Sequence, residues 1–456
     1  MVTQHLESQR SYYGAIAQQI FDWAEVGYQE VRSSELLQSE LRDAGFTVEA
    51  GVAGIPTAFV ASYGRGGPVI GILAEYDALP GITQEVVPVV TRRLDASAGH
   101  ACGHHLFGTA STGAAIAVKQ WLAASGTSGT IRLYGTPAEE GGAGKVYMVR
   151  AGLFDDVDVV LNWHAGDRNQ ASPSTSLSNK SAKFRFTGVS AHAAAAPERG
   201  RSALDGVEAM NHMVNLMREH VPQETRIHYV ITSGGSAPNV VPDFAEVYYY
   251  VRHPESAEVQ RLFERVVEAA EGAALGTGTQ VEYEVIHGIH ALLPNDAVQR
   301  AMYQNLVAVG GVSYTPEERE FAETLSQSLP EDALSLESAM EVQPYEFTRS
   351  GGSTDVADVS WVVPTAGLRT ATWVPGTAAH SWQAIAAGGM SIGEKGMINA
   401  AKVMAMTAVD LITRPDLVAE AKAEYRQRVG PNFVYQSLVG DRDPPLDYRR
   451  PAGGNR

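Results

Sequence analysis

Cysteine is almost missing from this 456-residue chain, in which Cys102 is the only thiol. A single cysteine excludes an intrachain disulfide framework and agrees with a reducing compartment. Basic charge is scarce too. The chain has 35 Lys and Arg against 52 Asp and Glu, a net charge of −17, so it has no basic stripe for a nucleic-acid backbone. No uninterrupted apolar stretch reaches the roughly 20 residues that span a bilayer, so no membrane partner is expected. Met1 to Arg10 is polar and lacks the basic-then-apolar order of a secretory leader, which makes the cytoplasm the expected location.

The length exceeds what one hydrophobic core serves well, so two domains are expected, one inserted in the other. Helical periodicity marks residues 8–23 and 33–44, an extended segment follows at 58–63, and the apolar run 68–74 reads as a strand. Residues 109–124 and 145–151 read as helices, and 129–134 and 157–163 as strands. This rhythm builds a mainly parallel sheet with helices on both faces. A Ser/Asn/Thr/Pro-rich linker at 169–179 follows. Beyond it, strands at 183–188, 226–232, 245–251 and 280–286 and helices at 201–219 and 255–274 have the order of a ferredoxin-like α+β unit. Helices return after Pro294 and close with 396–413 and 416–428. The expected fold is thus α/β: a catalytic domain in two pieces, 1–180 and 293–440, interrupted by a lid at 181–292, with a surface-bound or loose tail at 441–456.

Side chains able to hold a metal gather where the expected strands end. Glu75 and Asp77 follow 68–74, Glu139 and Glu140 follow 129–134, His164 follows 157–163, and His380 follows the apolar run 370–374. In open parallel sheets ligands bind in the crevice beyond the carboxyl ends of the strands, so separate segments converge on one site. In Gly99-His100-Ala101-Cys102-Gly103-His104-His105 the glycine between Cys102 and His104 allows a turn tight enough to aim both side chains at one ion. Thiolate and imidazole suit zinc, and also manganese, cobalt or nickel when carboxylates complete the shell. Adjacent Glu139 and Glu140 repel unless a cation divides their work. One can ligate while the other takes a proton from an activated water and hands it to a leaving nitrogen. The rival reading, a solvated acidic loop, is opposed by the strand before the pair and by Gly141-Gly142 after it.

Six segments carry a resemblance: Ala74-Glu75-Tyr76-Asp77-Ala78-Leu79-Pro80, the Cys102 run, Pro137-Ala138-Glu139-Glu140-Gly141-Gly142, Asn162-Trp163-His164, Ser190-Ala191-His192-Ala193-Ala194 and Gly376-Thr377-Ala378-Ala379-His380-Ser381-Trp382. In this order they resemble the aminoacylase and glutamate-carboxypeptidase superfamily of metalloamidases, nearest to its aminobenzoyl-glutamate and indole-acetyl-amino-acid hydrolase branch. The resemblance implies a two-metal site with Cys102 bridging, His104, Glu140, His164 and His380 completing the shells, and Glu139 as general base. It also implies that Asp77 orients ligands from outside the shell. The ferredoxin-like segment matches the family's lid, which generally mediates dimerisation, so a homodimer is expected. His192 and Asn239 fall where the family reaches the substrate carbonyl or carboxylate, sometimes across the dimer interface.

Arg252 pairs either with a substrate carboxylate or with Glu255. His105 lies close to the metal run and is expected to touch the site from outside the shell, whereas His212, His220, His228, His253, His287 and His290 read as core or surface residues. Gly351-Gly352-Ser353-Thr354-Asp355 resembles a family loop near the active site. Relatives continue Trp163-His164 with Pro and an acidic residue, where this chain has Ala165-Gly166-Asp167, and 84–97 differs as well. Both are expected to flank the pocket mouth and to set the substrate. The leading function is hydrolysis of an N-acyl or N-aroyl amino acid. The alternatives are an aminohydrolase that releases ammonia from a small amine and a metal-binding protein without catalysis.

Overall fold

The computed structural model describes residues 1–349 and 351–449, so the last seven residues of the expected tail, 450–456, lie outside the described part. Two-residue strands aside, five strands come first among the described residues: β1 (Thr47–Ala50), β2 (Phe59–Arg65), β3 (Val69–Ala74), β4 (Gly129–Gly135) and β5 (Val159–Gly166). Four more follow in one block: β6 (Ser178–Thr187), β7 (Arg226–Ser233), β8 (Phe244–His253) and β9 (Gln280–Ile289). Then β10 (Thr365–Ala371) returns to the first group.

The first sheet has the order β1-β2-β4-β3-β5-β10. β4, β3, β5 and β10 run parallel, and β1 and β2 add an antiparallel edge. β3 is almost wholly buried because helices cover both faces, as parallel strands require. One face packs on the helices Arg10–Trp23, His104–Ser125 and Ser391–Thr413. The other packs on Gly144–Arg150 and Val356–Ser360.

Two differences from the expected elements bear on the site. β5 runs on to Gly166, so His164 lies inside a strand, paired with Arg369 of β10. The apolar run 370–374 leaves the sheet after Ala371, because the amides of Thr372 and Trp373 both donate to the Gly166 carbonyl (2.9 and 3.0 Å) and bend the chain toward His380.

The second sheet is fully antiparallel, β7-β8-β6-β9, with the helices Ala203–Met217 and Ser256–Thr277 on one face. Period-2 alternation divides β8. Ala245, Val247, Tyr249 and Val251 enter the core against the helices, whereas Tyr250 and Arg252 face a large cavity between this sheet and the strand ends of the first. Among the described residues no helix is long and apolar enough to cross a membrane.

Candidate metal centre and substrate cavity

The donor atoms form groups at the strand ends. Cys102, His104 and His164 make one, Cys102, Glu140 and His380 a second, and Glu75, His104 and Glu139 a third, each with its ligand atoms within 4.8 Å of one another. Cys102 belongs to two of them. The turn at Gly103 (φ 77°) starts the helix His104–Ser125, and a Cβ there would collide with Ala165. That turn places Cys102 Sγ 3.4 Å from His164 Nε2. His380 Nε2 lies 3.1 Å from Glu140 Oε1, and this bond raises the imidazole's pKa.

Asp77 joins the two segments from behind. Its Oδ1 is 2.9 Å from His104 Nδ1, and its Oδ2 accepts the Glu140 amide at 2.9 Å. Burial pushes the Asp77 carboxyl up, but His104, the Glu140 amide and Lys145 together hold the group below the usual range.

The residues fit a metal. His104 Nε2, the ring nitrogen not bonded to Asp77, is fully buried with no hydrogen-bond partner, as a ligand atom aimed at an ion would be. Burial, then the Glu75 and Glu140 carboxylates, push Glu139 well above the ordinary carboxyl range, and burial pushes the Cys102 thiol up. A divalent cation among these groups would reverse both shifts. Glu139 belongs to the third group and lies outside the two that share Cys102.

Sequence reasoning missed the support beneath Glu139. Lys145 is fully buried, with Nζ 2.7 Å from Glu75 and 2.7 Å from Asp355, and its amide donates to Asp355 at 3.0 Å. Despite burial, Asp355 and Glu75 raise the Lys145 pKa, so the ammonium stays charged. Within the run 351–355, expected near the active site, residues 352–355 do line the cavity, but the ion pair of Asp355 has no signal in sequence.

The cavity holds about 1040 Å³. Glu139, Glu140, His164 and His380 line it near the donors, and Arg252 and His287 line it from the second sheet. Arg252 lies over Tyr250 (5.4 Å) and makes no ion pair with Glu255. Burial, then Arg252, lower the His287 pKa to about 4, so the imidazole is neutral at pH 7. His287, read as core or surface, is buried and also lines the cavity wall. A bulge between Val285 and His287 breaks the alternation that would have shown its face.

Other expected contacts are absent. His105 points away from the donors: its Nε2 is 3.1 Å from the Gly388 carbonyl and its ring packs on Phe21 (5.0 Å). Asp167 and Arg168 line the cavity, but among the described residues none of 84–97 does; that segment packs toward Phe21 and Ile385. His192 and Asn239 are neighbours, the Ala193 amide donating to the Asn239 carbonyl at 3.0 Å, yet both are exposed and outside the cavity of their own chain.

Clustered imidazole, thiol and carboxylate donors at the edge of a large cavity are the equipment of metal-dependent hydrolases, and that is the class this fold and site define. Residues 177–277 match the peptidase dimerisation domain of the M20 family. Over 449 residues the chain is 43% identical to one of the two kinds of subunit of the p-aminobenzoyl-glutamate hydrolase of Escherichia coli K12, covering 92% of this chain and 93% of that one. It is 29% identical to the mouse Xaa-Arg dipeptidase, over 91% of this chain and 88% of that protein. Its fold is that of a dinuclear metal-binding peptidase of the M20 family from Bacillus subtilis (TM-score 0.62, 19% identity, 89% of this chain and 99% of that one). The chain belongs to the M20 family and is a metal-dependent amidohydrolase.

Proposed function

We propose that the enzyme cleaves the amide between an acyl or aroyl group and an amino acid bearing an extra negative charge, as in an aminobenzoyl-glutamate. The charge of the cavity carries this reading. Arg168 pairs with Asp167 at 2.8 Å, but among the described residues no carboxylate pairs with Arg252, Arg349 or Arg369. In a chain of net charge −17, unpaired guanidinium groups around one cavity select a substrate with more than one carboxylate.

Cys102 with Glu140 and His380 would hold one divalent ion, and Cys102 with His104 and His164 a second. Manganese or zinc suits these donors best, with cobalt or nickel as alternatives. When bound, the ions supply the Lewis acidity that makes water nucleophilic near neutral pH. Glu139 takes the proton of the attacking water and delivers it to the leaving nitrogen. Asp77 fixes the His104 tautomer and the Glu140 peptide. Arg252 binds a substrate carboxylate. His192 and Asn239 donate to the developing oxyanion from a second copy of the chain, which explains their exposure. The active form is accordingly a cytoplasmic homodimer made through a lid at 181–292, inserted between catalytic pieces 1–180 and 293–440.

Turnover of p-aminobenzoyl-glutamate, its alanine analogue and a dipeptide ending in arginine tests the assignment. A charge-assisted bond contributes roughly 1.5–3 kcal/mol, so kcat/KM should fall about 10–100-fold from glutamate to alanine. Preference for the arginine dipeptide would refute it, and ammonia as the product would favour deamination instead.

A further inference from the structure

We infer that residues 441–449 belong to the catalytic centre, with Tyr448 and Arg449 as positioning residues that hold the Glu139-Glu140 turn by the Glu140 carbonyl. This rests on the reading of Glu139 as base and Glu140 as metal ligand.

The turn closes on itself through the Gly142 amide to the Ala138 carbonyl (3.0 Å) and the Gly141 amide to the Glu139 carbonyl (2.7 Å), but its backbone is strained. Ala138 (φ 59°) and Ala143 (φ 56°) flank the two glutamates in the left-handed region, which a Cβ disfavours. Outside groups fix it at each pole. Glu30 Oε1 accepts the Ala138 amide at 2.9 Å, Tyr28 donates to the Gly142 carbonyl at 2.7 Å, and Asp77 takes the Glu140 amide. The remaining pole, the Glu140 carbonyl, is taken by the C-terminal segment. Tyr448 donates its hydroxyl to it at 3.0 Å, and the Arg449 guanidinium donates to the same oxygen.

The fit around these two side chains is specific. The Tyr448 ring packs on Tyr28 (5.6 Å) and under the Arg449 guanidinium (4.7 Å). A Cβ at Gly27 would collide with the Tyr448 hydroxyl. Arg449 also lines the cavity. The segment is anchored on the way: Gln29 donates to the Leu446 carbonyl (2.9 Å), and Arg442 donates to the carbonyls of Val285 (2.6 Å) and Ile286 (3.1 Å) and pairs with Glu284 (3.0 Å) in β9. One segment therefore ties the second sheet to the peptide that follows Glu140. Of the two expectations for the tail, surface-bound or loose, residues 441–449 take the first, held to the body by these bonds.

The test uses the full-length, metal-loaded enzyme carrying Tyr448→Phe, Arg449→Met or Arg449→Lys, and a chain ending at residue 440. Zinc or manganese is titrated into the stripped protein, and kcat and KM are measured separately. Removing an outer support of a metal site costs about 10–100-fold in affinity or activity. Tyr448→Phe and Arg449→Met should each weaken one metal equivalent and lower kcat by that factor with KM within about threefold, and Arg449→Lys should recover part of the loss. The point variants decide the matter if the shortened chain does not fold. Full metal affinity and kcat in both point variants would overturn the inference, and so would a raised KM with unchanged kcat, which makes Arg449 a substrate contact only. Glu140→Ala, run in parallel, separates the two readings: if it keeps both metal equivalents, the ligand assignment itself is wrong.

Discussion

Replacing Lys145 by methionine would leave two buried carboxylates, Glu75 and Asp355, facing an apolar side chain where each now meets an ammonium at 2.7 Å. Breaking a buried pair by removing one partner costs about 3–5 kcal/mol. A second route gives a similar size: one of the two carboxyls takes up a proton, and for a group with an unfolded pKa near 4 that costs about 4 kcal/mol at pH 7, at roughly 1.4 kcal/mol per unit. The protonation route also sets a sign. Stability lost in the variant should shrink as the pH falls toward the unfolded pKa, to about 1.4 kcal/mol at pH 5. The assay is urea unfolding of metal-stripped protein at both pH values, with amide exchange in the helix Gly144–Arg150 as the local probe, since a chain of this size need not unfold in one step. Adding Asp355→Asn should restore part of the loss. A Lys145→Met protein within about 0.5 kcal/mol of the parent at pH 7, a surface-like effect, would refute a structural role for this ammonium.

Glu139→Ala should leave metal content near normal and abolish turnover; activity within about tenfold of the parent would remove Glu139 as the base. Cys102→Ala should lose metal, and unchanged stoichiometry by elemental analysis would take the thiolate out of the shell. His287 titrates near 6.5 when unfolded and at about 4 in the fold, so the unfolded chain binds the extra proton between these values and stability falls as the pH drops through that window. His287→Asn should flatten that fall by about 2 kcal/mol at pH 5, 1.5 units at roughly 1.4 kcal/mol each, and an unchanged pH profile of stability would refute the buried neutral imidazole.

The donors were legible because their spacing to the strands is local. Glu140, His164 and His380 follow apolar runs, Cys102 and His104 stand two apart around Gly103, and Asp77 lies two residues from Glu75 in the turn after β3. Lys145 was not legible. At the start of a helix a lysine reads as a solvated residue, and its burial depends on Asp355, 210 residues away. β1 is four residues long and mostly exposed, so it offers no hydrophobic period. The last described residues have a loose, Pro- and Arg-rich composition, yet Tyr448 and Arg449 are held by one backbone carbonyl, a partner that composition does not display. For Arg252 the sequence allows both Glu255 and a substrate as partner; strand parity and the position of the first sheet turn it to the cavity.

That parity in β8 also bears on what the protein tolerates during evolution. Odd positions from Ala245 to Val251 pack against helices, and Tyr250 and Arg252 line the cavity, so core and cavity wall are written alternately along one strand. Point changes at Tyr250 and Arg252 reshape the cavity wall while the core stays intact. A one-residue insertion or deletion instead exchanges the two faces beyond it, placing a guanidinium in the core and an aliphatic side chain in the cavity. Homologous enzymes with other substrates should therefore differ in β8 by substitution at constant length, whereas length variation should collect in exposed loops such as 84–97.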